Sequence, residues 1–150
     1  MRVVLQRCLE ASVSIDGVVV GEIEHGLLIL LGIAQEDDQQ DLDWMCQKVS
    51  GLRIFEDDDG KMNRSVLDVD GAVLVVSQFT LYGNCRKGRR PSFVGAGHPT
   101  MAEPLVDAFC ARMKEIGVRD VQTGRFGADM KVHLVNDGPV TLIIDSPNSL

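Results

Sequence analysis

The chain has 150 residues, 45% of them hydrophobic and 25% charged, and it carries a formal net charge of −7. These values predict one soluble globular domain over residues 1–150 with a sizeable apolar core. The negative charge argues against general affinity for nucleic acids, and the longest apolar run, Leu27 to Leu31, is far too short to cross a bilayer.

The N-terminal part of the chain is predicted to form strands. Residues 2–8 and 12–15 alternate between apolar and polar side chains, and Asp16-Gly17 is typical of a two-residue hairpin turn. Residues 26–33 form a continuous apolar run, which suits a strand buried on both faces. The first residues lack the layout of a signal peptide, so we expect a cytoplasmic protein without membrane contact.

A first helix is predicted after these strands, with Asp37 or Asp38 capping its N-terminus. An apolar stripe at helical spacing supports it, made of Leu42, Met45, Cys46, Val49 and Leu52. The acidic residues 56–59 come next. They lack the alternating ligands of a calcium loop, so they are predicted to form a turn, and we assign no function to it.

The most strongly predicted strand spans residues 71–81. Its first half is wholly apolar, whereas its second half becomes polar at Ser77, Gln78 and Thr80. A change of this kind at the end of a buried strand is where α/β proteins tend to place their chemistry. The alternative for these side chains is ordinary hydrogen bonding at the end of a strand.

Residues 82–99 are rich in Gly, Arg and Pro and predict a long irregular loop, a kind of segment that is often functional. Four cations in this loop could seat one or two phosphates in spite of the global negative charge: Arg86, Lys87, Arg89 and Arg90. A capping box from Thr100 to Glu103 predicts the start of a second helix, which Gly117 ends.

A turn is predicted at Asn136–Thr141, where Asn, Asp, Gly and Pro lie between the two apolar runs 132–135 and 140–144. The local pattern favours a hairpin loop. However, Pro139 cannot donate a backbone hydrogen bond, and Gly138 has no side chain to keep a second molecule away from its backbone. Recognition through main-chain atoms is therefore the alternative to a simple turn.

The predicted elements amount to about seven strands and two main helices, with hairpins at the start and the end of the chain. Two helices cannot cover both faces of so much sheet. We therefore predict a mixed α+β fold in which two layers of mostly antiparallel or mixed sheet pack together and the helices lie on one side, a β/β/α arrangement.

The residues that usually carry chemistry are scattered. Cys8, Cys46, Cys85 and Cys110 form no Cys-x-x-Cys pair and are predicted to be reduced, semi-buried thiols. The histidines also lie far apart, so neither a metal site nor a cofactor is expected. A hydroxyl nucleophile needs a base, and the sequence supplies no His-Asp pair near Thr80.

Two motifs carry a resemblance to a known family. Ser77-Gln78-Phe79-Thr80-Leu81 and Asn136-Asp137-Gly138-Pro139-Val140-Thr141 resemble, in the same order, the two signature motifs of the D-aminoacyl-tRNA deacylases. The likeness extends to residues 1–7, 88–93 and 124–130 and covers essentially the whole chain. It implies the deacylase-type fold.

The resemblance also implies a homodimeric hydrolase that cleaves the ester of D-aminoacyl-tRNA and of glycyl-tRNA. The Gly138–Pro139 bond would be cis, and its two carbonyls would enter the active site of the other subunit and leave no room for an L side chain. The catalytic residues would be Ser77, Gln78, Phe79 and Thr80. Main-chain amides around Phe79 and Thr80, rather than a protein nucleophile, would orient the ester.

Further roles carried by the resemblance are less specific. Arg7 would brace the Gly-Pro segment, Phe93 would seat the terminal adenine, and Met130 would contribute to substrate binding. The four cations of the basic loop would contact phosphates of the acceptor stem. Two alternatives remain open: a non-catalytic nucleic-acid- or nucleotide-binding dimer, and an esterase that uses Thr80 as a covalent nucleophile.

Overall fold

The structure is a computed structural model and describes residues 1–149. Over that range the chain forms eight strands, two α-helices and two short 3-10 helices. Their bounds are β1 (Arg2–Ile15), β2 (Val18–Ile23), β3 (Gly26–Gly32), α1 (Gln39–Gly51), β4 (Phe55–Glu56), β5 (Met62–Arg64), β6 (Ala72–Ser77), a 3-10 helix (Phe79–Tyr82), α2 (Pro99–Ile116), β7 (Val121–Thr123), β8 (Lys131–Asp145) and a second 3-10 helix (Pro147–Ser149).

Strand β1 connects the two parts of the main sheet. It pairs antiparallel with β8 along most of its length, with β3 through residues 2–8, and with β2 through residues 11–15. Beyond β3 the sheet continues in parallel through β6 to β7. The two strands predicted at 2–8 and 12–15 are thus one strand. The predicted Asp16-Gly17 hairpin is confirmed, with φ of +50° and +78° at its two residues.

The sheet folds over itself where the register of β1 shifts near Cys8. One apolar cluster lies between the two halves of the sheet and includes Val13, Leu28 and Leu74. A larger cluster lies between the sheet and the helices and includes Phe109. The sheet is nearly closed, and the predicted β/β/α layering with both helices on one side is confirmed.

Three further predicted elements differ from the observed ones, and the first is the strand over residues 71–81. Strand β6 ends at Ser77, and the chain then turns into the 3-10 helix Phe79–Tyr82. The turn packs on Gly32 of β3, where an added Cβ would lie 3.1 Å from Leu81 Cβ and 3.2 Å from the Gln78 carbonyl oxygen. Thr80 therefore lies on a helical turn and not in a strand.

The second difference concerns the C-terminal hairpin, and that prediction was wrong. Residues on both sides of Gly138–Pro139 belong to β8, which continues in one direction along β1. Turn-forming residues here produce an irregularity within a strand and do not reverse the chain.

The third difference is at the helix N-termini. Asp38 caps α1 as predicted, and Asp41 completes a capping box with it. Helix α2 begins at Pro99, and the side chain of His98 accepts a hydrogen bond from the N–H of Thr100. The capping box predicted at Thr100–Glu103 is therefore wrong. Within residues 1–149, no helix is both long and apolar enough to cross a membrane.

Candidate active site

A cavity of about 840 Å³ opens at the end of strand β6. Its wall combines four parts of the chain: the end of β3 with the residues that follow it, the end of β6, the loop before α2 with the first turns of that helix, and the segment 126–132, which reaches into β8. Its lining residues include Ser77, Gln78, Phe79, Phe93, His98, Met101, Asp129 and Met130. The cavity thus joins the first signature motif to Phe93 and Met130, two of the residues that the sequence assigned to substrate binding.

The first motif is held to the sheet by its backbone. The N–H of Gln78 donates to the carbonyl of Leu31 at 2.8 Å, which extends the pairing of β3 and β6 by one residue. The side-chain amide of Gln78 donates to the Thr80 hydroxyl. Among the described residues no His, Asp or Glu side chain bonds that hydroxyl, so no general base is in place to activate it.

The turn that follows presents free backbone donors. The leading N–H groups of a helix have no partner within the helix. Across residues 1–149, no hydrogen bond from the N–H of Phe79 or of Thr80 is found, whereas Leu81 donates to Gln78 at 3.3 Å and Gly83 donates to Thr80 at 2.9 Å. Two adjacent donors at the edge of a cavity can stabilise a developing oxyanion.

Two aromatic rings stand at the cavity rim. Phe79 and Phe93 are 57% and 37% exposed, and their rings pack edge to face with 5.2 Å between centroids. The loop that carries Phe93 is anchored where Gly97 donates to the carbonyl of Ile33 at 2.8 Å. Exposed aromatic faces beside a cavity are suited to stacking on a nucleobase.

His98 is a cavity residue that the sequence analysis did not single out. Its ring lines the cavity, and its Nδ1 accepts the N–H of Thr100 at 3.3 Å, so the same side chain caps α2. The signal that could have identified it is His-Pro directly before a helical pattern, because Pro is favoured at the first helical position and a cap precedes it.

The second motif forms a bulge in β8. Gln6 of β1 pairs with Thr141 and Cys8 pairs with Asn136, so the four residues Asp137–Val140 lie opposite the single residue Arg7. The Gly138–Pro139 peptide bond is cis, as the resemblance implied, and both residues are exposed.

Asn136 closes this bulge with a pair of hydrogen bonds. Its Oδ1 accepts the N–H of Val140 at 2.8 Å, and its Nδ2 donates to the carbonyl of the same residue at 3.2 Å. Gly138 has a φ of +150°, and an added Cβ would lie 2.8 Å from the Val140 nitrogen. The bulge is therefore fixed from within, and position 138 has no space for a side chain.

Arg7 lies beneath the same bulge and is only 4% exposed. Its Nε donates to the carbonyl of Asp137 at 2.9 Å, and one terminal nitrogen donates to the carbonyl of Ile54 at 2.7 Å. The Asp137 carboxylate is 3.5 Å from Nε. Arg7 thus ties the bulge to the segment that precedes β4, and no sequence pattern had linked Ile54 to this site.

The bulge and the cavity of one chain are not neighbours. Strand register places Arg7 level with Leu27 of β3, whereas the cavity edge is level with Leu31. These two levels are four residues apart along β3, which is roughly 13 Å. Neither Gly138 nor Pro139 lines the cavity. The two signature motifs therefore do not form one site within a single chain.

The part of the loop from Asn84 to Ser92, called the basic loop from here on, is exposed and lies outside the cavity wall. Its ends are joined by two backbone hydrogen bonds between Asn84 and Ser92, at 2.7 Å and 3.0 Å. The four cations that it presents, Arg86, Lys87, Arg89 and Arg90, are all exposed.

The thiols differ in their surroundings. Burial raises the pKa of Cys8 to about 11 and that of Cys46 to about 12, which keeps both protonated at neutral pH. Cys85 is exposed, so the prediction of a semi-buried thiol was wrong there, because the basic loop around it does not pack on the core. Within residues 1–149, no three His, Cys, Asp or Glu side chains form a group that could hold a metal ion.

Comparisons with known proteins agree on one family. The profile described as D-Tyr-tRNA(Tyr) deacylase matches residues 4–145. A D-aminoacyl-tRNA deacylase of Thermus aquaticus is 60% identical over 146 residues, which cover 97% of this chain and 95% of that protein. The D-aminoacyl-tRNA deacylase of Brevibacillus brevis is 58% identical over 146 residues, covering 97% of this chain and 100% of that protein.

Two solved structures are similar to this fold. One, described as the c-Myc DNA Unwinding Element Binding Protein, has a TM-score of 0.93 and 40% identity, covering 98% of this chain and 99% of the other. A probable eukaryotic D-amino acid tRNA deacylase has a TM-score of 0.79 and 18% identity, covering 95% and 97%. At that identity the second likeness concerns the fold alone.

Proposed function

The chain belongs to the D-aminoacyl-tRNA deacylase family of hydrolases, which act on the ester bond of aminoacyl-tRNA, and from this premise we propose that it removes D-amino acids and glycine from tRNA and spares L-aminoacyl-tRNA. The observation that carries the proposal is the pair of adjacent backbone amides of Phe79, which lines the cavity, and of Thr80, which follows it; within residues 1–149 neither N–H has a hydrogen-bond partner and no base contacts the Thr80 hydroxyl. Such a site suits hydrolysis without a protein nucleophile. The substrate implies action in the cytoplasm.

The chemistry follows from these backbone donors. The ester carbonyl oxygen lies against the N–H groups of Phe79 and Thr80, which stabilise the negative charge that forms when water attacks the carbonyl carbon. The 2′-hydroxyl of the terminal ribose assists in activating that water. The carbon–oxygen bond to the ribose then breaks, and the ribose 3′-oxygen takes up a proton. The side chains of Ser77 and Gln78 shape the wall and hold the turn.

The chirality gate comes from a second copy of the chain. The carbonyls of Gly138 and Pro139 enter the partner's cavity, accept hydrogen bonds from the substrate's α-amino group and occupy the space that an L side chain needs. A D side chain points away from them, and glycine has none to exclude. Their exposure, and their distance from the cavity of their own chain, support a homodimer.

Strand β8 provides an apolar surface for such a homodimer. Val135 and Ile143 lie on either side of the bulge and are 41% and 70% exposed. In the proposed homodimer the second copy covers these side chains. Arg7 braces the bulge from beneath, and this interaction keeps the gate rigid when a substrate meets it.

The RNA is held by the other predicted interactions. Phe93 stacks on the terminal adenine beside Phe79, and Met130 closes the opposite wall of the cavity. Arg86, Lys87, Arg89 and Arg90 bind phosphates of the acceptor stem. Phosphate binding carries no sequence information, so the enzyme accepts many tRNAs.

Matched D- and L-aminoacyl-tRNA test the chirality. We expect the wild-type protein to release the D-amino acid, to release glycine from glycyl-tRNA, and to leave the L-ester intact over the same period. Equal cleavage of both enantiomers would refute the gate.

Substitution of Phe79 by proline tests the backbone chemistry. Phe79→Pro removes the N–H at the first position of the 3-10 helix, where proline is tolerated, and Phe79→Ala removes the ring but keeps the N–H. Loss of one oxyanion donor costs about 10²–10³ in kcat, so we expect the proline variant to fall below the alanine variant by that factor. Equal activities would contradict the role of the amide.

Two other functions make different predictions. A Thr80 nucleophile would form an acyl-enzyme that can be trapped and would leave Thr80→Ala inactive, whereas we expect that variant to keep most of its activity. A non-catalytic nucleic-acid-binding dimer finds support in the name of the c-Myc DNA Unwinding Element Binding Protein, the solved structure at 40% identity. It would bind nucleic acid without turnover, and its binding would survive changes at Gly138 and Pro139.

A further inference from the structure

Arg2 makes contacts that the proposed chemistry does not yet use. It lies at the start of β1, directly opposite Asp145 of β8. Its Nε donates to Asp145 Oδ1 at 2.7 Å and a terminal nitrogen donates to Oδ2 at 3.2 Å, a two-point contact that fixes the plane of the guanidinium. This hydrogen bonding raises the pKa of Arg2, so the side chain stays charged.

The other side of the same guanidinium touches the 3-10 turn. Its second terminal nitrogen donates to the carbonyl of Leu81 at 3.1 Å, and the guanidinium carbon lies 5.4 Å from the centre of the Tyr82 ring. Both residues belong to the turn that begins with Phe79 and Thr80. One side chain therefore connects the end of β8 to the segment that carries the free amides.

The turn depends on neighbouring segments for its position. It contains four residues, and a single 3-10 turn of that length has little stability of its own. On its N-terminal side it is held by the hydrogen bond from Gln78 to Leu31. Beneath it lies Gly32, which pairs with Arg2 across β1 and β3. On the C-terminal side, Arg2 provides a polar attachment through the Leu81 carbonyl.

We propose that Arg2, held by Asp145, is a positioning residue that sets the orientation of the Phe79 and Thr80 amides through the Leu81 carbonyl. The inference rests on the proposed oxyanion role of those amides. Such donors are effective only within about 0.5 Å of the productive geometry. An interaction that fixes one end of a four-residue turn therefore acts on the rate of the chemical step and not on binding of the RNA.

The test compares Arg2→Ala with Arg112→Ala. Arg112, near the C-terminal end of α2, is a matched control because its side chain is 33% exposed, against 35% for Arg2, and pairs with Asp43 of α1 at 3.2 Å. For Arg2→Ala we expect kcat on D-aminoacyl-tRNA to fall about tenfold or more with KM changed less than about twofold. Arg112→Ala should keep the kcat of the wild-type protein.

Conservative variants and a measurement without substrate complete the test. Asp145→Asn keeps one acceptor for Arg2 and should lose less kcat than Arg2→Ala. Arg2→Lys keeps the charge but not the fork of donors, so it should fall between Arg2→Ala and wild type. In spectra of ¹⁵N-labelled protein, the amide resonances of Phe79 and Thr80 should shift in Arg2→Ala and stay in place in Arg112→Ala.

The outcomes separate this inference from the proposed function. If Arg2→Ala is folded and its kcat and amide resonances match those of wild type, Arg2 has no positioning role, whatever the deacylase mechanism is. If those resonances shift while kcat is unchanged, and Phe79→Pro is also fully active, the amides themselves are not the oxyanion donors and the inference fails with them. A fall in thermal stability shared equally by Arg2→Ala and Arg112→Ala, with no difference in kcat, would reduce the Arg2–Asp145 pair to a structural role.

Discussion

Gly138 combines two constraints, and each of the other glycines meets at most one of them. Its φ of +150° is one that L side chains rarely adopt, and its Cβ would meet the backbone nitrogen of Val140 at 2.8 Å. A side chain there has to displace backbone, because the Asn136 hydrogen bonds and Arg7 hold the bulge on both sides. In the proposed gate the same missing side chain leaves the carbonyl open to the substrate.

Gly138→Ala is therefore expected to distort the gate while leaving the rest of the fold intact. Backbone strain of this kind costs about 1–3 kcal/mol, and a displacement of about 1 Å at a reacting centre can cost 10²-fold in rate. We expect deacylation of D-aminoacyl-tRNA to fall about 100-fold and the preference over the L-ester to shrink. Activity is measured by release of labelled amino acid from both esters.

Gly60→Ala is the control for this substitution. Gly60 has a φ of +73°, but no atom lies within 4 Å of its added Cβ, and it lies in the acidic turn away from the cavity. It therefore introduces a strained φ without a clash. Full activity of Gly138→Ala, or an equal loss in both variants, would contradict a gate built on position 138.

Among single residues, the sequence predicts those whose role depends on near neighbours in the chain or on a recognised motif. Phe93 and Met130 do lie at the cavity with the first motif, and Arg7 does touch the bulge. Arg2 carries no local signal, because its partners Leu81 and Asp145 are distant in the sequence and meet it only through packing. His98 has the local signal of His-Pro before a helix, but its place at the cavity depends on the same distant packing.

Strand β8 shows why short-range patterns can give the wrong element. Asn-Asp-Gly-Pro between two apolar runs is a hairpin signal, yet the chain on both sides pairs with β1 in one direction. The same residues suit a turn or a bulge, because both contain residues with positive φ and backbone nitrogens that donate no ladder hydrogen bond. The choice depends on the length of β1, whose 14 residues give β8 a continuous partner. The strand predicted over 71–81 ends early for a similar reason, since Gly32 makes room for a helical turn.

Two residues compete as the cap of α2: His98, which the structure shows, and Thr100, which the sequence predicted. Their substitution distinguishes the two. His98→Ala should destabilise the protein by about 1 kcal/mol, the usual cost of losing an N-cap acceptor, which lowers the melting temperature by about 2–4 °C. Thr100→Ala removes no acceptor for the helix N–H groups and should cost less than half as much. His98→Asn restores the acceptor and should recover most of the stability. A larger effect at Thr100 than at His98, measured by calorimetry, would favour the capping box that the sequence suggested.

The basic loop gives a prediction about salt. Replacing Arg86, Lys87, Arg89 and Arg90 by alanine should raise KM with little change in kcat. The slope of log(kcat/KM) against log salt should shrink by about 0.7–0.9 for each phosphate that the loop no longer binds. Lys61→Ala with Arg119→Ala removes exposed cations elsewhere and should leave both values unchanged. Changes in the slope that are proportional to the number of charges removed, four in the loop and two elsewhere, would mean that the loop acts only through net charge.

At the scale of the whole molecule, the residues of the proposed gate and the cavity are separate within one chain, because neither Gly138 nor Pro139 lines the cavity. In the proposed two-fold dimer each copy gives its bulge to the other's cavity, and two equal sites result. Such an arrangement predicts which defects can complement each other.

The complementation uses one chain with Phe79→Pro and another with Gly138→Ala, each marked by a different affinity tag. In the heterodimer purified through both tags, the intact turn of the Gly138→Ala chain faces the intact bulge of the Phe79→Pro chain. One of the two sites is then complete, so about half of the wild-type kcat per dimer should return, although each homodimer is defective.

The reciprocal heterodimer, a doubly substituted chain with a wild-type chain, contains the same two changes. It has no complete site if the gate acts across subunits and one complete site if it acts within a chain. Activity in the first heterodimer and none in the second is the expected result, and the opposite pattern would place the gate in its own subunit's site.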